Sequence, residues 1–130
     1  MEKDYKNLEI WQIADKIFDM ICEDVKKWPN TPVARSISYQ VLDSGGSISS
    51  NIAEGYGRGT PREFEQFLRY SRGSSAESDN WLFKATKQSL ISMERYKEYQ
   101  NLFERLNKMT GSFIRKLRMQ SKRKFNSVVA

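Results

Sequence analysis

The sequence predicts an all-α protein, folded as an antiparallel up-and-down four-helix bundle. Apolar residues recur at spacings of three and four through long segments, which is the pattern of amphipathic helices. Glycine and proline separate these segments at few places, and no segment alternates with the period of two that half-buried strands require. The 130 residues have the length of one domain, and four such segments with short connections favour a bundle.

The first helix is predicted at about residues 8–27, before a connection that contains two prolines. Its apolar face comprises Trp11, Ala14, Phe18, Ile21, Val25 and Trp28. The second helix is predicted at about residues 33–55, although Gly45 and Gly46 lie in its middle and each glycine costs a helix about 1 kcal/mol relative to alanine. Because a four-residue apolar repeat continues through the glycines, we predict one continuous helix in which Gly45 lies near Ser71 of the third.

The connection after the second helix is rich in glycine, from Gly55 to Gly59. Termination of the helix at Gly55 or Gly57 is favoured over an anion cradle before the next helix N-terminus. Asn51 and Glu54 lie one turn apart on the flank of the second helix, where we predict hydrogen bonds between helices.

The third helix is predicted at about residues 61–89 and begins with Thr60-Pro61-Arg62-Glu63, a capping box with proline at the first helical position. Tyr70 and Trp81 flank its main apolar stripe and make the apolar face broader than packing within one bundle requires. This breadth favours a subunit interface, with ordinary core packing as the alternative.

The fourth helix is predicted at about residues 93–120. Its stripe spans three heptads: Tyr96, Tyr99, Phe103, Leu106, Thr110, Phe113 and Leu117. The predicted organisation is therefore a bundle over residues 1–118 and a basic C-terminal tail over residues 119–130.

Positive charge is concentrated at the end of the fourth helix and in the tail that follows it, in six residues that we call the tail cations. The chain has 22 Lys and Arg residues against 16 Asp and Glu residues, a net charge of +6, and six cations fall within ten residues: Arg115, Lys116, Arg118, Lys122, Arg123 and Lys124. On a continued helix Lys108, Arg115 and Lys122 share one line. We interpret this surface as phosphate-binding; the alternatives are a solvated helix end that complements the helix dipole and, disfavoured by the lack of an apolar face, an anionic membrane surface.

A second basic group surrounds the start of the third helix: Arg58, Arg62, Arg69 and Arg72. The guanidinium group suits phosphate, but Glu63, Glu65 and Glu77 interleave with these arginines, and pairing within the helix is the more economical explanation. They are secondary candidates for nucleic-acid contact.

The absence of histidine excludes most hydrolytic chemistry. With no imidazole and a single Cys22, the chain lacks a Ser-His or Cys-His pair and a His or thiolate zinc site. A metal site in the bundle core could in principle use the carboxylates Glu54, Glu63 and Glu77. Metal-binding bundles combine such carboxylates with histidines, which this chain does not have. We expect no enzyme, cofactor or metal. The charged start and the lack of an apolar run of about 20 residues predict a cytoplasmic protein without a membrane partner.

One long motif resembles a known family. It consists of the run from Ser47 to Arg58, centred on Asn51-Ile52-Ala53-Glu54-Gly55, followed by Glu63-Phe64, Phe67-Leu68, Gly73-Ser74 and Glu77. This pattern resembles the four-helix-bundle proteins first described from intervening sequences inside bacterial 23S ribosomal RNA genes, and the similarity covers nearly the whole chain. The chain departs from the family at Gly45-Gly46, where other small residues are usual, and in its longer, more basic tail.

The resemblance implies an antiparallel four-helix bundle, assembled as a homopentamer, without enzymatic activity. It implies structural roles for the matching residues Asn51, Glu54, Gly55, Glu63, Phe64 and Glu77. Relatives include accessory proteins of diversity-generating retroelements, which are basic pentamers that bind RNA and a reverse transcriptase.

Charge and resemblance together predict a homo-oligomeric nucleic-acid-binding accessory protein, with RNA favoured over DNA and with a reverse transcriptase or other protein as a further partner. The alternative is a structural or protein-interaction module that does not bind nucleic acid.

Overall fold

The computed structural model describes residues 4–129, apart from the side chains of Lys124, Phe125 and residues 127–129. After a 3₁₀ turn at Tyr5–Asn7, this part of the chain forms four α-helices: α1 at Glu9–Val25, α2 at Pro32–Arg58, α3 at Pro61–Lys87 and α4 at Met93–Val129. Contacts join each helix to the next and α1 to α4. The predicted all-α four-helix bundle is confirmed.

Threonine caps begin α2 and α3. The Thr31 Oγ1 accepts a hydrogen bond from the Ala34 amide at 3.2 Å, and the Thr60 Oγ1 accepts one from the Glu63 amide at 3.2 Å. Proline follows each threonine at the first helical position, where its missing N–H has no intrahelical partner to lose. The start of α3 therefore lies where the sequence predicts it.

The end of α2 differs from the prediction. The helix continues through Gly55 and Gly57 to Arg58, and Gly59, with φ of 85°, is the left-handed C-cap. Termination at Gly55 or Gly57 was therefore the wrong expectation, because Gly59 supplies the left-handed residue that ends the helix. The glycine-rich segment is mostly helical and does not form a loop that could cradle an anion.

The contact between α2 and α3 is made through small residues. The Ser71 Oγ donates to the Ile48 carbonyl oxygen at 2.8 Å, and the Ser78 Oγ donates to the Ser44 Oγ at 3.0 Å. A Cβ added at Gly55 would lie 2.6 Å from the Phe67 Cβ. The two backbones thus approach closely, and the pairing of later α3 residues with earlier α2 residues shows that the helices are antiparallel.

Gly45 does not face Ser71 as the sequence predicted. A Cβ at Gly45 would meet the Ile21 Cδ1 of α1 at 2.6 Å, while the neighbouring Ser44 faces α3. Successive helical residues are rotated by about 100°, so Ser44 and Gly45 contact different helices. Gly45 makes room for α1, and the serines make room for α3.

The family-motif residues Asn51 and Glu54 bond within α2, contrary to the predicted hydrogen bonds between helices. The Asn51 Nδ2 donates to the Ser47 carbonyl oxygen at 2.8 Å, and the Glu54 carboxylate pairs with Arg58 at 3.4 Å. Both partners lie four residues away, within reach along one helix face. Phe64, in contrast, does join helices, because its ring lies 5.2 Å from that of Phe113.

A polar network joins the end of α1 to the start of α4. Asp24 is 8% exposed and accepts hydrogen bonds from the Tyr99 hydroxyl at 2.5 Å and the Arg95 Nε at 3.0 Å. Burial has the largest effect and the hydrogen-bonded Asp24 carboxylate a smaller one, and together they raise the pKa of Tyr99 well above its ordinary value. Nearby, burial and the Asp79 carboxylate raise the pKa of Tyr96 to about 12. Both phenols are therefore neutral donors at physiological pH.

The helices in the described part of the chain do not include one with the length and apolarity needed to cross a bilayer.

The close α2–α3 contact predicts opposite effects of alanine at two glycines. Gly55→Ala should lower the free energy of unfolding by about 1–3 kcal/mol, because the new methyl group overlaps Phe67. Gly73→Ala, where a Cβ meets nothing within 4 Å, should raise it by about 0.5–1 kcal/mol through helix propensity. Urea denaturation measures both; equal effects of the two variants would contradict the contact.

The Asp24 network predicts a second stability effect. Tyr99→Phe removes one donor from a buried carboxylate and should lower the free energy of unfolding by about 1–3 kcal/mol. Tyr39→Phe removes the same hydroxyl from a side chain that is 71% exposed, and should change stability by less than about 0.5 kcal/mol. Urea denaturation of the two variants tests this, and a Tyr99→Phe variant as stable as wild type would refute it.

Candidate nucleic-acid interface

The cations that the sequence assigned to α4 lie on its solvent-facing surface. The exposed residues of this group are Lys108, Arg115, Lys116, Arg118, Lys122 and Arg123, and the Lys124 side chain lies outside the described part of the structure. Because α4 is continuous to Val129, helical geometry carries beyond residue 120 and keeps Lys108, Arg115 and Lys122 on one line. Among the described side chains of this group, Arg118 has an acidic partner, Glu65, at 3.7 Å.

The four arginines near the start of α3 divide into two pairs. Arg58 contacts Glu54 at 3.4 Å and Glu63 at 3.9 Å, and Arg69 contacts Glu65 at 2.9 Å. The predicted pairing with nearby acids therefore holds for these two. Arg62 and Arg72 are exposed, and neither has an acidic partner within residues 4–129.

A groove of about 640 Å³ lies between the start of α3 and the end of α4. Its α3 wall is formed by Arg62, Glu65 and Gln66, and its α4 wall by Arg118, Ser121, Lys122 and Asn126. The groove exists because α3 and α4 are antiparallel, so the first turn of α3 lies beside the part of α4 that follows Leu117. It brings one arginine of the second group together with two cations of the tail.

Glu65 is the acid within this groove. Its Oε2 accepts hydrogen bonds from the Arg69 Nη2 at 2.9 Å and Nε at 3.1 Å, and the Arg118 Nη2 lies 3.7 Å from the same oxygen. The Glu65 side chain is 19% exposed and that of Arg118 is 49% exposed. The groove is lined by one carboxylate, Glu65, and by three cations, Arg62, Arg118 and Lys122, so it has a surplus of positive charge.

Sequence reasoning placed these cations in two separate groups and missed their neutral neighbours. Gln66, Ser121 and Asn126 line the groove, and none was a candidate. The antiparallel order of α3 and α4 was the feature of the sequence that could have revealed the groove. It places Phe64 against Phe113, and therefore the first turn of α3 beside residues 118–122. Arg58 and Arg72 do not line the groove, nor do the α4 cations outside the pair Arg118 and Lys122.

The described residues contain no group of three or more carboxylate, cysteine or histidine side chains arranged to hold a metal ion. Cys22 is half-buried on α1. Of the remaining family-motif residues, Glu63 accepts from the Thr60 hydroxyl at 3.0 Å, and Glu77 is exposed on α3.

Residues 6–112 match the family model described as the 23S rRNA-intervening sequence protein. The chain belongs to this family. The resemblance carried by the Asn51–Gly55 motif is thus confirmed. The family match ends before Arg115, so the six tail cations lie beyond it.

A solved structure has the same fold as this member of the 23S rRNA-intervening sequence protein family. It is a protein of unknown function from the S23 ribosomal protein family of Bacteroides thetaiotaomicron, with a TM-score of 0.70 and 23% sequence identity. The likeness covers 81% of this chain and 97% of that chain. No curated protein matches the chain.

Proposed function

We propose that this chain is a non-enzymatic, cytoplasmic accessory protein that binds RNA by contacting its phosphates at the end of α4. The observation that carries the proposal is the state of the tail cations: Arg115, Lys116, Lys122 and Arg123 are exposed and have no acidic partner among the described residues. A protein surface that neutralises several phosphates releases their counterions, which supplies the free energy of binding.

The arrangement of the cations also supports phosphate contact. Lys108, Arg115 and Lys122 are spaced at two-turn intervals, about 10 Å apart on a helix that rises 1.5 Å per residue. A rigid helix holds these side chains along one line, so little backbone entropy is lost when a polyanion lies against them. The family description, which refers to ribosomal RNA, favours RNA over DNA.

Self-association is the second part of the proposal. Tyr39, Tyr70 and Phe83 are 71%, 51% and 45% exposed, and exposed aromatic residues are enriched at protein interfaces. Trp81 packs against the core, so core packing accounts for it and Tyr70 is the better interface candidate. In the pentamer that the family resemblance implies, several tails would act together and raise the effective concentration of cations.

These exposed apolar side chains equally suit the second candidate function, a module that docks onto a reverse transcriptase or another protein without binding RNA. In that case the tail would contribute solubility, and binding would depend on the apolar residues and not on salt.

A charge-matched pair of variants tests the RNA proposal. The six tail cations Arg115, Lys116, Arg118, Lys122, Arg123 and Lys124 are changed together to Gln, and affinity for a structured RNA is measured by fluorescence anisotropy at several salt concentrations. For wild type, log Kd should rise by about 0.7–0.9 per phosphate contact for each tenfold increase in salt. The tail variant should lose most of this dependence.

The matched control changes six exposed lysines outside α4 to Gln: Lys6, Lys16, Lys26, Lys27, Lys84 and Lys87. The net charge falls by the same amount, but the tail stays intact, so most of the affinity should remain. If the control loses as much affinity as the tail variant, net charge alone explains binding and the tail assignment is wrong. Wild-type affinity that does not change with salt would overturn phosphate binding itself.

Static light scattering of the full chain at micromolar concentration tests self-association. We expect the mass of a homo-oligomer, five copies by the family resemblance, and a lower mass for Tyr70→Lys because a charge replaces a 51% exposed aromatic ring at the proposed interface. A monomeric wild type would contradict the proposal.

A further inference from the structure

The groove between α3 and α4 differs from the rest of the basic surface because it has two walls. Arg62 stands on one wall, and Arg118 and Lys122 stand on the other. Cations on opposite walls can contact one phosphate group from two sides, whereas the line of Lys108 and Arg115 offers contacts from a single side. Arginine adds a planar fork that pairs with two phosphate oxygens at once.

Neutral hydrogen-bonding groups accompany these cations. Gln66 and Asn126 each carry an amide that both donates and accepts, as needed for the edge of a nucleotide base. The Ser121 Oγ lies beside them, shielded from solvent and without a hydrogen-bond partner among the described residues. A surface that served solubility alone would not need such groups between its cations.

The size of the groove restricts what can enter it. A volume of about 640 Å³ lies within the range of about 300–1,000 Å³ that is typical of small-ligand sites. A nucleotide unit fits this space, but a duplex is a rigid rod whose bases are stacked and paired inside it, so it cannot place a base between the two helices.

We propose that this groove binds a single-stranded segment of RNA, with one phosphate between Arg62, Arg118 and Lys122 and the adjoining base against Gln66 and Asn126. The proposal rests on the proposed RNA-binding function and adds the strand type and the position of the contact. Glu65 opposes the phosphate, because its carboxylate shares the groove and competes for Arg118.

Two matched pairs of full-length variants test the groove, with fluorescently labelled single-stranded oligouridine and a hairpin RNA of equal length as probes. Arg62→Gln and Lys122→Gln each remove a groove cation. Lys84→Gln and Lys97→Gln serve as controls, because each removes an exposed cation of the same helix outside the groove. The groove variants should bind oligouridine about tenfold more weakly than wild type. The slope of log Kd against log salt concentration should fall by about 0.7, as expected for the loss of one phosphate contact. The controls should change by less than about twofold.

Replacement of the acid gives a gain of affinity, which a folding defect cannot mimic. Glu65→Gln should tighten oligouridine binding by about threefold, while Glu77→Gln, an equal charge change on an exposed α3 position, should leave it unchanged. Wild type should prefer oligouridine over the hairpin.

Four results would contradict the proposal for this groove. Equal losses for Arg62→Gln and Lys84→Gln, or equal gains for Glu65→Gln and Glu77→Gln, would refute the groove site while leaving the tail function intact. A hairpin bound more tightly than oligouridine would refute the single-strand assignment. Wild type that binds neither probe at low salt would refute both the groove and the proposed function.

Discussion

The close contact between α2 and α3 is the constraint on which the rest of the structure depends. Gly55 lets the Phe64 and Phe67 side chains lie directly against the α2 backbone, and the buried serines further along keep the two helices near each other. Because α3 is held in this position from its first turn, Phe64 can also reach Phe113 of α4. That second contact sets the register of α4, and with it the position of Arg118 and Lys122 beside Arg62.

The charge distribution follows from the same geometry. Some acids in the body of the bundle pair with cations or phenols of other helices, as in the contacts of Asp24 with Arg95 and Tyr99, and of Glu9 with Arg105. After Glu104 the sequence contains no further acid, so α4 cannot neutralise its own last turns. Among the described residues, Glu65 on α3 is the carboxylate that reaches them. The surplus of positive charge at this end of the bundle is therefore a property of the fold as well as of the sequence.

The sequence predicted those features that depend on neighbours within about four residues. Helix order, the Thr60 cap and the pairing of Arg69 with Glu65 are of this kind, since apolar periodicity, capping and i,i+4 spacing act locally. The predicted contact of Gly45 with α3 was wrong, because neighbouring positions on α2 face different helices: Ser44 contacts α3, and Gly45 contacts α1. The groove escaped prediction because Arg62 and Lys122 are far apart in the chain, and their proximity depends on helix lengths and on the α3–α4 register, which no local pattern encodes.

The basic end of the bundle combines two surfaces with different physical capacities. The line of Lys108 and Arg115 is open to solvent on one side, so its attraction for a polyanion is long-ranged, screened by salt and indifferent to base identity. The groove is partly enclosed and adds amides to its cations, and discrimination in nucleic-acid recognition comes from hydrogen bonds to base edges. Its Glu65 carboxylate pairs with Arg69 and also weakens the attraction for phosphate. For the RNA-binding function proposed above, the line of Lys108 and Arg115 would supply affinity, and the groove would supply selectivity through the amides of Gln66 and Asn126.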